Sequence, residues 1–383
     1  MVPTPPTPRA GRSASSSVSS NSRADTAIEV VAFAEGTPAG SRYHQIATPV
    51  AVRSWIAAQG LPKYRAEQIL TWIYHHRIED AAAMSDLPRA VRDAFVAAFE
   101  LPRLDPVQVA RSRDGTRKFL FGLRDGFAIE SVLIPEPPRL TLCISSQAGC
   151  GMGCVFCATA RLGLQRNLTE DEIVGQVMAA ERALAAGETI TNIVFMGMGE
   201  PLHNYDNVVA ALATLSAPWG LAISARRITV STVGLLPQME RLVRETNVNL
   251  AVSLSATTDV QRTALMPVNK KYPLEKLMAL CRALPIAQRR RITFEYVMLA
   301  GRNDSLADAD RLTRLLHGIR AKVNVIPFNP FPDAEVARAS DAAVEAFRRR
   351  LLAAGVLATV RRSRGQDIDA ACGQLAARHA TAA

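Results

Sequence analysis

The sequence predicts an α/β fold, a partial or full (β/α) barrel behind a small N-terminal helical domain. Three observations predict it. From Arg111 onward, strand-length apolar runs alternate with amphipathic helical stretches, and repeated units of that length call for a parallel sheet covered by helices. No GxGxxG or GxxxxGKS/T loop opens any of those helices, which argues against a dinucleotide or P-loop fold and for a barrel with chemistry at its strand C-termini. Ahead of Leu104 the apolar period is three to four residues, as in a helical bundle.

The elements follow in order. Residues 1–27 carry Pro3, Pro5, Pro6 and Pro8 ahead of a serine-rich run from Ser13 to Ser22. Too few apolar residues are present to offset ordering entropy, so residues 1–46 read as a disordered tail and lead-in. The arginine- and serine-rich, acid-poor start also suits an organellar transit peptide, and it lacks the apolar stretch of a secretory signal. Residues 47–107 read as a helical accessory domain, with Val52, Trp55, Ile56 and Leu61 followed by Ile69, Leu70, Trp72, Ile73 and Tyr74. Lys63, Tyr64, Arg65, His75, His76 and Arg77 lie among them, forming either a solvated basic face or an RNA grip with charge for phosphates and rings for stacking. Residues 108–135 read as a strand-rich linker, with strands at 118–122 and 130–135. The core, residues 136–366, opens on a strand at 141–145 and a helix at 170–186, for which Thr169 is a good N-cap ahead of Glu170-Asp171-Glu172. Strands at 192–196, 227–231, 249–253, 292–298 and 322–327 then alternate with helices at 207–215, 236–245, 274–284 and 306–319. Residues 367–383 form a C-terminal segment.

Composition narrows the function. Forty-five Lys+Arg against 35 Asp+Glu leave a net charge of +10, which favours an anionic partner such as nucleic acid. No run approaches 18 apolar residues, which argues against a membrane span. Collagen-like, wholly disordered and disulfide-stapled classes are excluded. Six cysteines, three of them within eight residues, fit a reducing cytosol and a metal or reactive-thiol site.

The strongest chemical signal is Cys150-Gly-Met-Gly-Cys154-Val-Phe-Cys157, in a glycine-rich loop after a strand. Three thiolates at this spacing can wrap one soft metal centre, iron–sulfur or zinc. Structural zinc sites want four ligands in pairs, and no second CxxC or HxxxH follows. On a four-iron cluster three cysteines leave one iron open to a non-protein ligand. Phe195-Met-Gly-Met-Gly199-Glu200-Pro201 closes a strand, where glycine lets backbone approach a ligand and Glu200 can accept from an ammonium. Ser231, then Ser253-Leu254-Ser255, then Asn329 end further strands, where barrels present side chains to ligands. From the residues alone Cys372, in Asp367-Ile-Asp-Ala-Ala-Cys372-Gly-Gln-Leu375, is open between a fourth cluster ligand, a buried apolar residue and a reactive thiol. Glu130 reads as a surface acid at a strand end.

The C-x3-C-x2-C spacing, with Phe156 just before its last cysteine, resembles the radical S-adenosylmethionine (SAM) superfamily, in which SAM's amino and carboxylate groups fill the open iron site. Leu61-Pro-Lys-Tyr-Arg-Ala-Glu-Gln-Ile-Leu-Thr-Trp-Ile-Tyr74, Leu142-Cys143-Ile-Ser-Ser-Gln-Ala-Gly-Cys150, Met266-Pro-Val-Asn-Lys-Lys-Tyr272 and Glu295-Tyr-Val-Met298 narrow it further. In that order they resemble the RlmN family of bacterial ribosomal and transfer RNA adenine-C2 methyltransferases, over most of the chain to Leu375. The resemblance implies a barrel of the radical SAM type holding a 4Fe-4S cluster on Cys150, Cys154 and Cys157. It implies SAM contacts at Gly199, Glu200, Ser231, Ser253, Leu254, Ser255 and Asn329. It makes Cys372 the carrier of the methyl group, Cys143 its partner in a transient disulfide, and Glu130 the proton acceptor.

The family consumes two SAM molecules per turnover: one methylates Cys372, and the other yields the radical that activates that methyl for addition to adenine C2. The resemblance further implies 23S rRNA and tRNA as partners, an electron donor such as flavodoxin, a monomer and a cytoplasmic location. One departure stands out. The family often has Ser-Leu-His where this chain has Ser253-Leu254-Ser255, so a contact made by that imidazole would be lost. Two other readings are an adenine-C8 methyltransferase of the antibiotic-resistance type, whose counterpart of Gly199-Glu200-Pro201 tends to end Gly-Glu-Ala, and a non-catalytic iron–sulfur RNA-binding protein, which leaves Cys143 and Cys372 without a task.

Overall fold

The computed structural model describes residues 45–377, so the tail reading over residues 1–44 and the last six residues lie outside it. Strand β1 (Gln45–Ile46) falls at the end of the expected lead-in and pairs in parallel with β2 (Phe99–Glu100), framing a helical unit. Between them stand α1 (Pro49–Ala58), α2 (Tyr64–Tyr74) and α3 (Arg89–Ala98). Thr48 starts α1 by accepting from the Ala51 N–H at 3.3 Å, with Pro49 at the first helical position, where its missing N–H costs nothing. Trp55 meets Phe95 and Phe99 edge-on at 6.0 and 5.8 Å between ring centroids, which knits the unit together.

The core is a ten-stranded sheet. Its first four strands are antiparallel: β3 (Pro106–Arg111), β4 (Arg117–Gly122), β5 (Ala128–Glu136) and β6 (Arg139–Cys143). A short hairpin, β7 (Gln147–Gly149) with β8 (Leu164–Asn167), brackets the cysteine loop and its one-turn helix α4 (Ala158–Arg161). Beside β6, all parallel and in chain order, lie β9 (Asn192–Phe195), β10 (Ile228–Thr232), β11 (Asn249–Ser253), β12 (Ile292–Met298), β13 (Ala321–Pro327) and β14 (Ala358–Val360). The crossovers are α5 (Glu170–Arg182), α6 (Tyr205–Ser216), α7 (Leu236–Glu245), α8 (Asp259–Leu265) with α9 (Leu274–Ala283), α10 (Leu306–Leu315) and α11 (Asp341–Ala353).

The sequence allowed a partial or a full barrel, and the sheet is the partial one: β3 and β14 are its two edges and do not pair with each other. Residues after β14 cross between the ends instead. The Ser112 hydroxyl just past β3 donates to Asp367, and Gln374 Nε2 donates to the Pro330 carbonyl after β13 at 2.7 Å.

Local chemistry explains most boundaries. Thr169 and Glu172 form a capping box on α5, and Ser305 and Asp308 form one on α10. Several elements lie outside the strand–helix units read from the sequence, β3, β14, α8 and α11 among them. Edge strand β3 is largely exposed and its alternation is only Val107-Gln108-Val109, β14 has three residues and α8 has seven. Helix α11 carries a helical apolar period, at Val344, Phe347 and Leu351 behind the Ser340 N-cap, but lies beyond the last strand read from the sequence, 322–327. Among the described residues one apolar cluster runs from Ala47 to Leu375, joining the helical unit to the sheet. No described helix is long and apolar enough to cross a membrane.

Candidate active site

The cysteine loop is closed at its neck by backbone. Gly149 has φ +72°, and a Cβ there would lie 1.9 Å from the Gly163 carbonyl oxygen, which accepts from the Cys150 N–H at 2.8 Å. The loop is tied on both flanks: Val155 N–H donates to the Leu265 carbonyl at 3.1 Å, and Ala158 N–H to the Gly373 carbonyl at 2.8 Å. Cys150 and Cys154 are buried and Cys157 is half-buried. Burial pushes the Cys150 thiol up to about 12, and pushes Cys154 well above its ordinary range with help from Cys157, Cys150 and Glu200. Bare, Cys150 and Cys154 stay protonated, so their thiolates need a metal to hold them. Among the described residues no three His, Cys, Asp or Glu side chains converge on one ion.

Glu200 sits at the end of the glycine turn after β9. Gly199 has φ +98°, and a Cβ there would stand 2.5 Å from the Gln147 Cβ, so only glycine lets this turn pack on the cysteine-bearing hairpin. Gln147 Oε1 accepts from the Glu200 N–H at 2.8 Å. The buried Glu200 carboxylate accepts from the Val233 N–H at 2.8 Å and the Leu202 N–H at 3.1 Å. Burial raises its pKa to about 7 despite these donors.

The other strand-end residues divide. Ser231 and Ser253 are half-exposed at the C-terminal ends of β10 and β11. Leu254 is fully buried, with its N–H on the Glu295 carbonyl at 2.9 Å. Ser255 takes φ +48°, its hydroxyl accepts from the Val297 N–H at 3.1 Å, and its carbonyl accepts from Asn303 at 2.7 Å. Its side chain therefore serves the fold's interior. Asn329 holds the C-terminal segment: Nδ2 donates to the Cys372 carbonyl at 3.1 Å, while Oδ1 accepts from Ser363 and from Gln366 at 3.1 Å.

That segment brings Cys372 to the sheet's mouth. All six cysteines are free, so Cys143 and Cys372 form no disulfide here. Burial pushes Cys143 up to about 12, against the pull of Arg361 and with a contribution from Cys372. Burial raises Cys372 too, with Arg361 again opposing and Glu295 and Cys157 adding. Arg361 is the cation facing both thiols, and its Nη1 rests 3.4 Å from the Met196 sulfur. Glu130, 2% exposed, is no surface acid. It pairs with Lys118 Nζ at 3.0 Å and accepts from the Ala376 and Ala377 N–H groups at 2.9 and 3.0 Å. Sequence reasoning missed Lys118, Arg361 and Glu295. Glu295 lay inside a quoted motif without a task, and the other two are single basic residues that carry no local signal.

In the helical unit the basic residues also divide. Lys63 is exposed, while Arg65 is half-buried, lying over the Tyr64 ring at 5.0 Å and donating from Nη1 to Gln68 Oε1 at 2.8 Å. Arg77 is ion-paired with Glu181 of α5, Nε to Oε2 at 2.6 Å, and so ties the unit to the core. A cavity of about 320 Å³ beside Arg65 is lined by Tyr64, Gln68, Trp72, His76 and Asp86 among others.

Comparison with known proteins agrees with this arrangement. Residues 144–313 match the radical SAM superfamily, and residues 48–101 match the ribosomal RNA large subunit methyltransferase N-terminal domain. The dual-specificity RNA methyltransferase RlmN of Syntrophotalea carbinolica is 53% identical over 84% of this chain and 86% of its own length. That of Desulfosudis oleivorans is 51% identical over 84% and 87%. The crystal structure of a radical SAM methyltransferase from Sphaerobacter thermophilus superposes with a TM-score of 0.81 at 48% identity, covering 86% of this chain and 98% of the other. With half its residues shared along almost the whole length of such relatives, the chain belongs to the RlmN family of radical SAM methyltransferases.

Proposed function

We propose that this chain methylates C2 of an adenosine in RNA, in 23S rRNA at the peptidyl-transferase centre and in tRNA 3′ to the anticodon, by way of a methyl carried on Cys372. The observation that carries the reading is Cys372 held at the sheet's mouth, with Cys157, Cys143 and Arg361 as its electrostatic neighbours. A 4Fe-4S cluster and SAM supply the methyl group and the one-electron chemistry that an electron-poor aromatic carbon demands.

The chain's own residues do the rest. Cys150, Cys154 and Cys157 hold the cluster, and the Gly199–Glu200 turn with Ser231, Ser253, Leu254 and the Ser255 backbone cradles SAM. Asn329 orients Cys372 through its carbonyl, as well as meeting SAM with its remaining N–H. Arg361 favours the thiolate of Cys372 for accepting a methyl, and later that of Cys143 for attack on the Cys372 sulfur. That attack breaks the bond from the Cys372 sulfur to the methylene, which takes up a proton to become the product's methyl group, and leaves a Cys143–Cys372 disulfide for an external dithiol to reduce. Glu130 takes the C2 proton, with Lys118 holding its carboxylate in place. The target base has to leave its stack to reach Cys372, so the helical unit, residues 47–107, grips the flanking RNA. An electron donor such as flavodoxin, a monomeric state and a cytoplasmic setting complete the reading.

The direct test gives reconstituted enzyme SAM, a reductant and deproteinised 23S rRNA or tRNA, and maps the product by mass. 2-Methyladenosine in both RNAs is expected, and 8-methyladenosine overturns the assignment.

Two further outcomes are expected. Glu200, half-protonated near pH 7 in the free protein, must be ionised to accept SAM's ammonium. SAM affinity is therefore full above about pH 8 and falls up to about tenfold per pH unit below about 7. Equilibrium dialysis from pH 6 to 9 reads this, and Glu200→Gln should weaken binding and flatten the profile. Changing Lys63 and Arg65 together to Ala should lower the salt slope of RNA affinity by about one unit per lost phosphate contact. Arg77 belongs to the same basic set, but its ion pair with Glu181 also ties helical unit to core, so it is left unchanged in this variant. An unchanged slope with normal methylation would leave the helical unit a structural role only.

A further inference from the structure

Arg262, on α8, is the largest wholly buried side chain among the described residues. Its guanidinium donates only to neutral groups: Nη1 to Asn269 Oδ1 at 3.1 Å and the Tyr272 carbonyl at 3.3 Å, Nη2 to the Val233 carbonyl at 2.6 Å and the Ser253 carbonyl at 3.3 Å. Nε, also buried, has no partner. The nearby Asp259 carboxylate, which also favours the charged guanidinium, turns its Oδ1 to Asn269 Nδ2 and the Leu274 N–H, both at 2.9 Å, and does not bond Arg262 directly. Among the described residues no carboxylate forms an ion pair with Arg262. A buried cation without an anion is costly, and an arginine cannot escape by losing its proton. Burial does pull it down, to about 10, and the group that most opposes this is Cys154.

The cysteine loop lies directly against this region. The Val155 N–H donates to Leu265, three residues after Arg262, at 3.1 Å. A Cβ on Gly153 would lie 3.4 Å from Pro267 Cγ, and Cys154 packs with Leu265 and Met266 in one apolar cluster. The Val233 and Ser253 carbonyls that Arg262 grips belong to the strand ends beside Glu200 and the SAM cradle. A 4Fe-4S cubane on three thiolates is anionic overall, and reduction adds a further negative charge.

We propose that Arg262 is the fold's built-in countercharge to the iron–sulfur cluster, raising its reduction potential from beneath the cysteine loop. The inference rests on the reading that Cys150, Cys154 and Cys157 hold the cluster. It gives the buried guanidinium its missing anion. It also makes one-electron loading easier beside a buried carboxyl, Glu200, that acts on Cys150 and Cys154 in the opposite sense.

The test is an EPR-monitored redox titration of reconstituted holoenzyme without SAM or RNA, preceded by iron and sulfide analysis. Arg262→Gln and Arg262→Met should load iron but be harder to reduce. At the poise that half-reduces the wild type, their reduced-to-oxidised ratio should fall about tenfold or more. Arg262→Lys, which keeps the charge, should recover most of that ratio. A neutral variant that loads iron and titrates like the wild type overturns the proposal. So does failure of both neutral variants to fold even as cluster-free protein, which assigns Arg262 to the scaffold. Wild type that binds no iron at all would instead sink the cluster reading on which the proposal stands.

Discussion

Replacing Cys372 with alanine is expected to abolish RNA methylation, by roughly 10⁴-fold or more, while SAM cleavage in the presence of reductant persists. The size follows from chemistry: without the sulfur no atom of the chain carries the methyl between SAM and adenine C2. The fold should survive, because the neighbours hold this segment by its backbone. The Cys372 carbonyl takes its bond from Asn329, and the Gly373 carbonyl takes its bond from Ala158. Deleting one half-buried sulfur should cost about 1 kcal/mol. Three readouts check it: 2-methyladenosine in RNA, 5′-deoxyadenosine in solution, and labelled methyl retained on the protein after incubation with methyl-labelled SAM. The wild type gives all three and the variant only 5′-deoxyadenosine. A variant that still methylates RNA would falsify the role given to Cys372.

Gly149→Ala should be nearly as damaging, by a different route. A left-handed alanine costs about 1–2 kcal/mol. The added Cβ would also stand 1.9 Å from the Gly163 carbonyl oxygen, a backbone atom held by the Cys150 N–H. Nothing flexible is there to yield, so the neck of the cysteine loop must open, for a total of about 3–5 kcal/mol. Iron per chain after reconstitution should collapse and the melting temperature should fall. Gly163→Ala is the control: it has φ +66° with nothing within 4 Å of its Cβ position, so it carries only the backbone strain. Equal iron content in the two variants would refute the argument from the neck.

Elements whose cause is local were legible. The Thr169 capping box, the apolar run from Ile292 to Met298 and the strand Asn249–Ser253 follow from their own residues and neighbours, and the structure has them in those places. The cysteine spacing was legible for the same reason, since a loop of eight residues sets which thiols can share a cluster. Illegible elements lacked such a signal. Edge strand β3 is held by its partner β4 rather than by its own pattern, and β14 by β13. Ser255 showed its lost imidazole in the sequence, but not that its hydroxyl is turned onto the Val297 N–H.

The sequence by itself determined the alternating strands and helices, the three-thiol loop and the family to which the chain belongs. Only the tertiary structure decided who faces whom. It left the sheet open at β3 and β14 and carried Cys372 across to Cys143, 229 positions away in the chain. It buried Glu130 against Lys118 and the backbone of Ala376 and Ala377, tied Arg77 to Glu181 by an ion pair, and buried Arg262 with hydrogen bonds to neutral groups only. The reason is physical. Caps, turns and ligand spacings are set within a few residues, where the order of side chains is the whole geometry. The charge state and task of a buried group depend on desolvation and on partners hundreds of residues away, and those come into being only when the chain packs around them.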